Sequence, residues 1–325
     1  MATTKSHGDE WSAYWVGAEG GQAAVAGDKK AASLSKFWSK VFERTFSGRK
    51  SFTHIDMACG AGTVTQSAVA TADQLGLPQA AFICSDYSEL AVLRALATIN
   101  DSRVHGVVSN GASPALKSGS FDVVTSQYGL EYAGKAAFEK AWPLIAPGGY
   151  FVALIHVQEG PIARECEANL SLLDSVIGQK FLPRMVKLFA KARKMDQGRA
   201  TEKQVKKLEA SLFTDQAKML AVIQTIPPNP ASILAFRLLS DMGTLYQRRR
   251  NFADVDADNW LAHQSQELAS YRLRMKSMIE AAMSEADIKG IVATLDGDKS
   301  NAHEVSKFSM DGEDEACAWS LVLRR

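Results

Sequence analysis

The sequence predicts an α/β protein built on a doubly wound, Rossmann-like sheet of seven strands. A C-terminal antiparallel hairpin and a large helical insertion complete it. Three observations carry this reading. Apolar strand-like runs alternate with helical patterns between residues 52 and 156, the rhythm of a parallel sheet with crossover helices. Almost unbroken helical patterning follows from 157 to about 285. The chain then closes with two strand-like runs around an acidic turn.

The first strand runs from Phe52 to Met57 and enters the small-residue turn Ala58-Cys59-Gly60-Ala61-Gly62. An Ala-rich helical pattern follows, from Val64 to about Leu75. A strand, a glycine turn and a helix N-terminus bring backbone close to a ligand. Asp56 stands at the entrance of the turn, where a carboxylate suits a cationic or hydroxyl-bearing ligand better than a pyrophosphate. The dinucleotide fingerprint G-x-G-x-x-G fails, because Thr65 fills the third glycine position. Ala80 to Cys84 reads as a second buried strand ending in Ser85-Asp86-Tyr87-Ser88, with Asp86 placed for ribose hydroxyls. Val104 to Val108 is the third strand and leads into Ser109-Asn110-Gly111; Phe121 to Ser126 is the fourth. The turn Ala146-Pro147-Gly148-Gly149 precedes the fifth, Tyr150 to His156. Helical patterns over Glu89–Ile99 and Ala136–Ile145 separate the strands.

Over residues 52 to 156, about a third of the chain, this ordered set resembles the class I S-adenosylmethionine-dependent methyltransferases. Their first loop reads acid-x-Gly-x-Gly-x-Gly; here it is Asp56-x-Ala58-x-Gly60-x-Gly62, with Ala58 in the first glycine position. The resemblance implies that the loop passes beside the methionine part of S-adenosylmethionine. It implies that Asp86 binds the ribose and that Asn110 and Gly111 hold the adenine edge. Asn110 departs from the usual Asp, yet its amide oxygen can accept from an adenine amino group. Tyr87, next to Asp86, and Gln127, at the end of strand four, complete the candidate cofactor residues. The Phe121-Asp122 pair, the Pro147-Gly148-Gly149 turn and the closing hairpin (Val305–Met310, then Cys317–Arg325) are further family landmarks.

Bulk properties bound the function. A chain of 325 residues with 46% hydrophobic and 22% charged residues can bury a large core, and a net charge of +1 gives no global drive toward nucleic acid. Met1 to Glu10 lacks the apolar core of a secretory signal, and no apolar run approaches a membrane span. Cys59, Cys84, Cys166 and Cys317 are scattered without a C-x-x-C, which fits a reduced, cytoplasmic setting. Six histidines show no metal-ligand spacing, so no metal is expected.

Outside the sheet, residues 1–50 form an expected helical cap, with Trp11, Tyr14 and Trp15 before a Gly/Ala-rich stretch and a helical pattern over Ala31–Phe46. The aromatic trio reads either as a lid over the cofactor or as packing on the domain's edge. Residues 157–285 are expected to hold helices at Ile162–Ile177, Leu182–Lys194, Thr201–Gln224, Pro230–Arg250 and Ala257–Ala282. An insertion after strand five belongs at the ligand-binding edge of such a sheet, so it reads as a substrate cap, with a homodimerising layer as the other use. Residues 286–325 complete the sheet. Lys180 to Lys207 holds ten Lys/Arg against two acids, and Arg248-Arg249-Arg250 is a second, smaller cluster. Both read first as solvated helix faces, and otherwise as a surface for an anionic substrate, a membrane or RNA phosphate.

The candidate chemistry is methyl transfer to a small-molecule oxygen or nitrogen acceptor. His156, at the end of strand five, is the candidate general base; Tyr128 and Glu131, after strand four, are candidates for orienting the acceptor. Ser126-Gln127-Tyr128-Gly129 stands where base-methylating relatives carry Asn/Asp-Pro-Pro-Tyr, which argues against a nucleic-acid amine as acceptor. The alternatives are a lipid or tRNA methyltransferase using the basic helix, and a non-catalytic S-adenosylmethionine-binding protein.

Overall fold

The computed structural model describes residues 11, 14, 15, 28–296 and 303–325. The expectations for Met1–Glu10 and for the Gly/Ala-rich stretch lie outside these residues. Two compact units divide the chain: residues 1–164 with 277–325, and residues 165–276.

The first unit is the sheet. Its strands are β1 (Ser51–Met57), β2 (Gln79–Asp86), β3 (Val104–Val108), β4 (Phe121–Gln127), β5 (Ile145–His156), β6 (Glu304–Ser309) and β7 (Ala316–Arg324). They form a seven-stranded sheet in the order β3-β2-β1-β4-β5-β7-β6. β1 to β5 are parallel, and β7 runs antiparallel between β5 and β6. The doubly wound sheet, the closing hairpin and the helical insertion are as the sequence predicts. Strand order reverses between β1 and β4, which places a switch point at their carboxyl ends.

Helices α1 (Asp28–Phe46), α2 (Thr63–Gln74), α3 (Glu89–Ile99) and α4 (Ala136–Ala141) belong to this unit. Alternation along each strand splits the core in two. Val152 and Leu154 of β5 face the cluster that holds Trp38, Phe42 and Phe46 of α1. Phe151, Ala153 and Ile155 face the cluster with Phe138 of α4. A further helix, α5 (Glu285–Asp296), stands where the sequence reading passed straight to the hairpin; its Ile288 and Ile291 enter the second cluster. Its start is a reciprocal cap: Ser284 N donates to Asp287 Oδ2 at 2.9 Å, and Asp287 N donates to Ser284 Oγ at 3.2 Å.

The second unit is all helical, built from α6 (Pro161–Gly178), α7 (Phe181–Asp196), α8 (Glu202–Gln224), α9 (Pro230–Gln247) and α10 (Asp254–Ala281), the first and last of which also reach into the first unit. Apolar stripes such as Phe181, Met185, Leu188 and Phe189 of α7 form its core. Thr201 with Gln204, and Asn229 with Ser232, make capping boxes that start α8 and α9; Pro230 occupies the first turn of α9 after the Pro-Pro break. No described helix is long and apolar enough to cross a membrane.

Gly62 makes the entry into α2 possible. Its φ of 81° is left-handed, and a Cβ there would lie 2.9 Å from Ala95 Cβ and from Ile99 Cδ1 of α3. Gly62→Ala is therefore expected to destabilise the fold by about 1–3 kcal/mol, through strain and overpacking together. A urea unfolding series against the parent chain measures this.

Candidate active site

The carboxyl ends of β1, β2, β4 and β5 share one edge of the sheet. Three left-handed residues, Ala58 (φ 56°), Gly60 (φ 53°) and Gly62 (φ 81°), turn the chain from β1 into α2. The turn is anchored from β2: Cys59 N donates to Ser85 O, and Gly60 N donates to Asp86 Oδ2, both at 3.0 Å. Asp86 Oδ1 accepts from Ser88 N at 2.9 Å. Burial raises the Asp86 pKa, opposed by backbone N–H groups of Ser88, Gly60 and Tyr87. A carboxylate offers about four lone-pair sites, so Asp86 keeps acceptor capacity after these bonds. Tyr87 beside it is exposed.

Asp56 is 1% exposed and pins the turn from within. Thr65 Oγ1, from the first turn of α2, and Thr125 Oγ1, from β4, each donate to it at 3.2 Å. His54, on the same side of β1, lies 2.8 Å through Nε2 from Thr125 Oγ1. With the threonine proton on Asp56, the imidazole must donate through Nε2–H, and its buried Nδ1 has no partner among the described residues. Burial lowers the His54 pKa to about 3, so it stays neutral. Burial raises Asp56 to about 7, against the threonine hydrogen bonds. Thr65, Thr125 and His54 were not singled out by the sequence. Threonines carry no motif of their own, and only the strand pairing brings them to Asp56.

Other candidates have partners of their own. Gln127 Oε1 accepts the Trp38 indole N–H at 2.6 Å, and Asn110 Oδ1 accepts from Ala112 N at 2.9 Å. Gly111 approaches Leu130, whose Cδ1 would lie 3.1 Å from an added Cβ. Gly129 fits against the β1 turn: a Cβ there would lie 2.5 Å from Ala58 Cβ. Trp15 packs on the turn, its ring 3.1 Å from a Cβ built on Gly60, and Arg94 lies 5.9 Å above that ring. Trp11 meets Tyr132 with centroids 5.0 Å apart.

At the ends of β4 and β5 stands a buried pair. Glu131 lies on a single 3₁₀ turn (Leu130–Ala133), and its Oε1 accepts from His156 Nδ1 at 2.8 Å and from His156 N at 3.2 Å. Both side chains are almost fully buried. His156 Nε2 has no partner among the described residues. The Tyr128 ring lies 4.4 Å from the imidazole and Tyr132 5.8 Å. Tyr128 Oη donates to Cys317 Sγ at 3.5 Å, and burial pushes its phenol far above the usual range, so it remains protonated. The backbone fixes His156 as well: its carbonyl accepts from Met283 N at 2.8 Å, where the chain returns from the helical unit. The sequence read Glu131 as facing an acceptor; the structure places its carboxylate on His156.

Residues 55–153 match the family model described as a methyltransferase domain. The matched residues run from β1 to β5 of the α/β unit, so this stretch is similar to a methyltransferase domain. No curated protein matches the chain. Similar solved structures include the methyltransferase-assigned partner of the Trm112 methyltransferase activator in Haloferax volcanii: 19% identity, 46% of this chain, 59% of that one, TM-score 0.35. A protein assigned to class I from Listeria monocytogenes is 16% identical over 47% of this chain and 55% of its own, with a TM-score of 0.36. An S-adenosylmethionine-dependent methyltransferase of Aquifex aeolicus is 15% identical over 40% and 70%, with a TM-score of 0.33. The chain thus spans 59% of the Haloferax protein's length. Among the described residues, no cluster of three His, Cys, Asp or Glu could hold a metal ion, and all four cysteines are free and buried.

The raised Asp56 pKa has a measurable consequence. The folded chain binds a proton at Asp56 that the unfolded chain has already released between about pH 4 and pH 7. This contribution to stability is complete below the unfolded pKa and is lost as pH rises through about 7. Asp56→Asn should flatten this part of the stability–pH curve. Urea unfolding at several pH values between these limits checks it.

Proposed function

We propose that the chain is a methyltransferase that moves the methyl group of S-adenosylmethionine to a small-molecule oxygen or nitrogen acceptor, with His156 as the general base. The observation that carries this reading is the buried Glu131–His156 pair, with His156 Nε2 unpartnered, at the ends of two strands of a methyltransferase domain.

The residues of the turn suit the cofactor. Gly60 brings bare backbone to the turn, and Gly62 starts α2 without a side-chain cap, so the N–H groups ahead of Thr65, which turns its own to Asp56, remain for a carboxylate. Asp86 has lone pairs left for ribose hydroxyls, with Tyr87 next to it in sequence, and Asn110 and Gly111 after β3 would hold the adenine edge. Ala58 shapes the turn, and Asp56 holds it through Thr65 and Thr125. Gln127 and Asn110 keep their amide N–H groups and one lone pair on each carbonyl oxygen, since each oxygen accepts one bond.

Bound S-adenosylmethionine supplies a methyl already activated by its sulfonium. The protein's part is alignment, which is worth about 7–11 kcal/mol in well-oriented systems, and removal of a proton where the acceptor carries one. Glu131 accepts Nδ1–H and so fixes the tautomer that bears its lone pair at Nε2. As His156 takes the acceptor's proton, the Glu131 carboxylate stabilises the imidazolium. Tyr128 and Tyr132 wall the imidazole with apolar ring surface, which limits water. The helical insertion, residues 157–285, is the proposed acceptor-recognising part.

Calorimetric titration with S-adenosylmethionine and its demethylated product tests the cofactor site. Asp86→Ala should weaken binding by about 1–3 kcal/mol, the cost of lost hydrogen bonds to a charged group. Unchanged affinity would remove Asp86 from the site. With an acceptor in hand, His156→Ala should cut turnover by about 10²–10⁴ while cofactor affinity holds. Glu131→Gln keeps an acceptor for Nδ1–H but loses the charge, so its loss should be smaller. Equal turnover in all three chains would leave alignment as the whole mechanism.

A further inference from the structure

We propose that one end of the helical unit is a docking surface for an anionic membrane, held by unpaired cations and an exposed apolar tip. Residues 165–276 carry 18 Lys/Arg against 12 Asp/Glu, while the rest of the chain is net negative. Two basic clusters far apart in sequence meet in this unit. Arg250 Nη2 pairs with Asp196 Oδ1 at 3.0 Å, at the last residue of α7. Arg193 Nη1 pairs with Asp258 Oδ2 at 2.9 Å, in the first turns of α10. These bonds seat residues 248–258 against the end of α7, and α8 begins only a short turn later.

The ion pairs consume most of the acids there. Asp196, Asp254 and Asp258 are taken by Arg250 and Arg193, and Glu202 by Lys206. Glu209 accepts from Tyr246 Oη at 2.5 Å. Asp256 is left over beside them, and Asp241 on α9 and Glu267 on α10 are exposed and unpaired among the described residues, further along those helices. On the other side of the balance, Lys194, Arg199, Lys203, Lys207 and Arg248 are exposed and have no acid partner among the described residues. The surplus is a cationic surface on a rigid helical end.

The choice of partner follows from what lies beside the cations. Phe252 is 45% exposed and Val255 59%; they follow the arginine triplet and Asn251, ahead of Ala257, the first buried residue of α10. Polybasic attraction and an insertable apolar group are the two signals that together hold a peripheral protein on an anionic bilayer. Nucleic acid fits less well, since the cations are not interleaved with the aromatic platforms that stack bases.

Sedimentation of the full chain with vesicles tests this. Phosphatidylcholine vesicles, with and without phosphatidylserine, are compared at low and rising salt. The expected result is retention on acidic vesicles alone, falling as salt rises. The combined variant Lys194→Glu, Lys203→Glu, Arg248→Glu should lose on the order of a hundredfold in apparent affinity. Phe252→Ser should weaken binding severalfold with an unchanged salt slope, and both variants should keep the parent's melting temperature. No retention of the parent chain, or equal retention of the charge-reversed one, overturns the proposal. Tighter, salt-steep capture of tRNA in a gel-shift series overturns it in favour of a nucleic-acid surface.

Discussion

The pairing of β1 with β4 is the constraint on which the candidate site depends. Their register sets Asp56 beside Thr125 and His54 beside Val123. It is why one hydroxyl, Thr125 Oγ1, can serve both His54 and Asp56. The same adjacency brings Gly129 against Ala58, so closely that a side chain on Gly129 would collide with Ala58. A buried carboxylate without these donors would cost about 1–3 kcal/mol or more for each missing bond. The polar chain therefore makes the local pairing specific and holds the left-handed turn in place.

A second consequence is a division of labour between carboxylates. Asp56, Asp86 and Glu131 all sit near the same edge of the sheet, yet each is committed differently. Asp56 is sealed beneath the turn by two hydroxyls. Asp86 takes backbone N–H groups from the turn and from the start of α3 and stays accessible to hydroxyl donors. Glu131 is spent on an imidazole. Burial raises the pKa of the first two, and the hydrogen bonds they accept limit the rise. A buried carboxylate is stable here only where fixed donors replace water, and each donor set leaves it a different remaining capacity.

The segment around Met283 adds a constraint on His156. Where the chain returns, Met283 N donates to the His156 carbonyl, and the Met283 carbonyl accepts from the Trp319 indole at 2.9 Å. The base candidate is thus held through its side chain by Glu131 and through its backbone by the returning segment and by β7.

Much of this was legible in the sequence. Apolar runs with period two, glycine turns and intervening helical stripes are local signals, and they marked the five parallel strands, the closing hairpin and the turn that carries Asp56, Gly60 and Gly62. Helix α5 was legible too, because Ser284-x-x-Asp287 and the spacing of Ile288, Ile291 and Leu295 mark an amphipathic helix; the strand reading of the C-terminus overrode it. The start of β5 was read too late, at Tyr150 and not Ile145, because the Pro-Gly-Gly stretch looks like a break when its strand partners are unknown. The partners of polar side chains lay beyond the sequence. Local patterns fix which way a residue's backbone runs, but a hydrogen bond between residues 25 to 89 positions apart exists only once the strands have paired. Sequence alone determined that a glycine turn, an acid at the end of β2 and a histidine at the end of β5 would share one edge of the sheet. Only the tertiary structure decided that Glu131 belongs to His156, Gln127 to Trp38 and the arginine triplet to the basic helix, because those contacts depend on packing between distant elements.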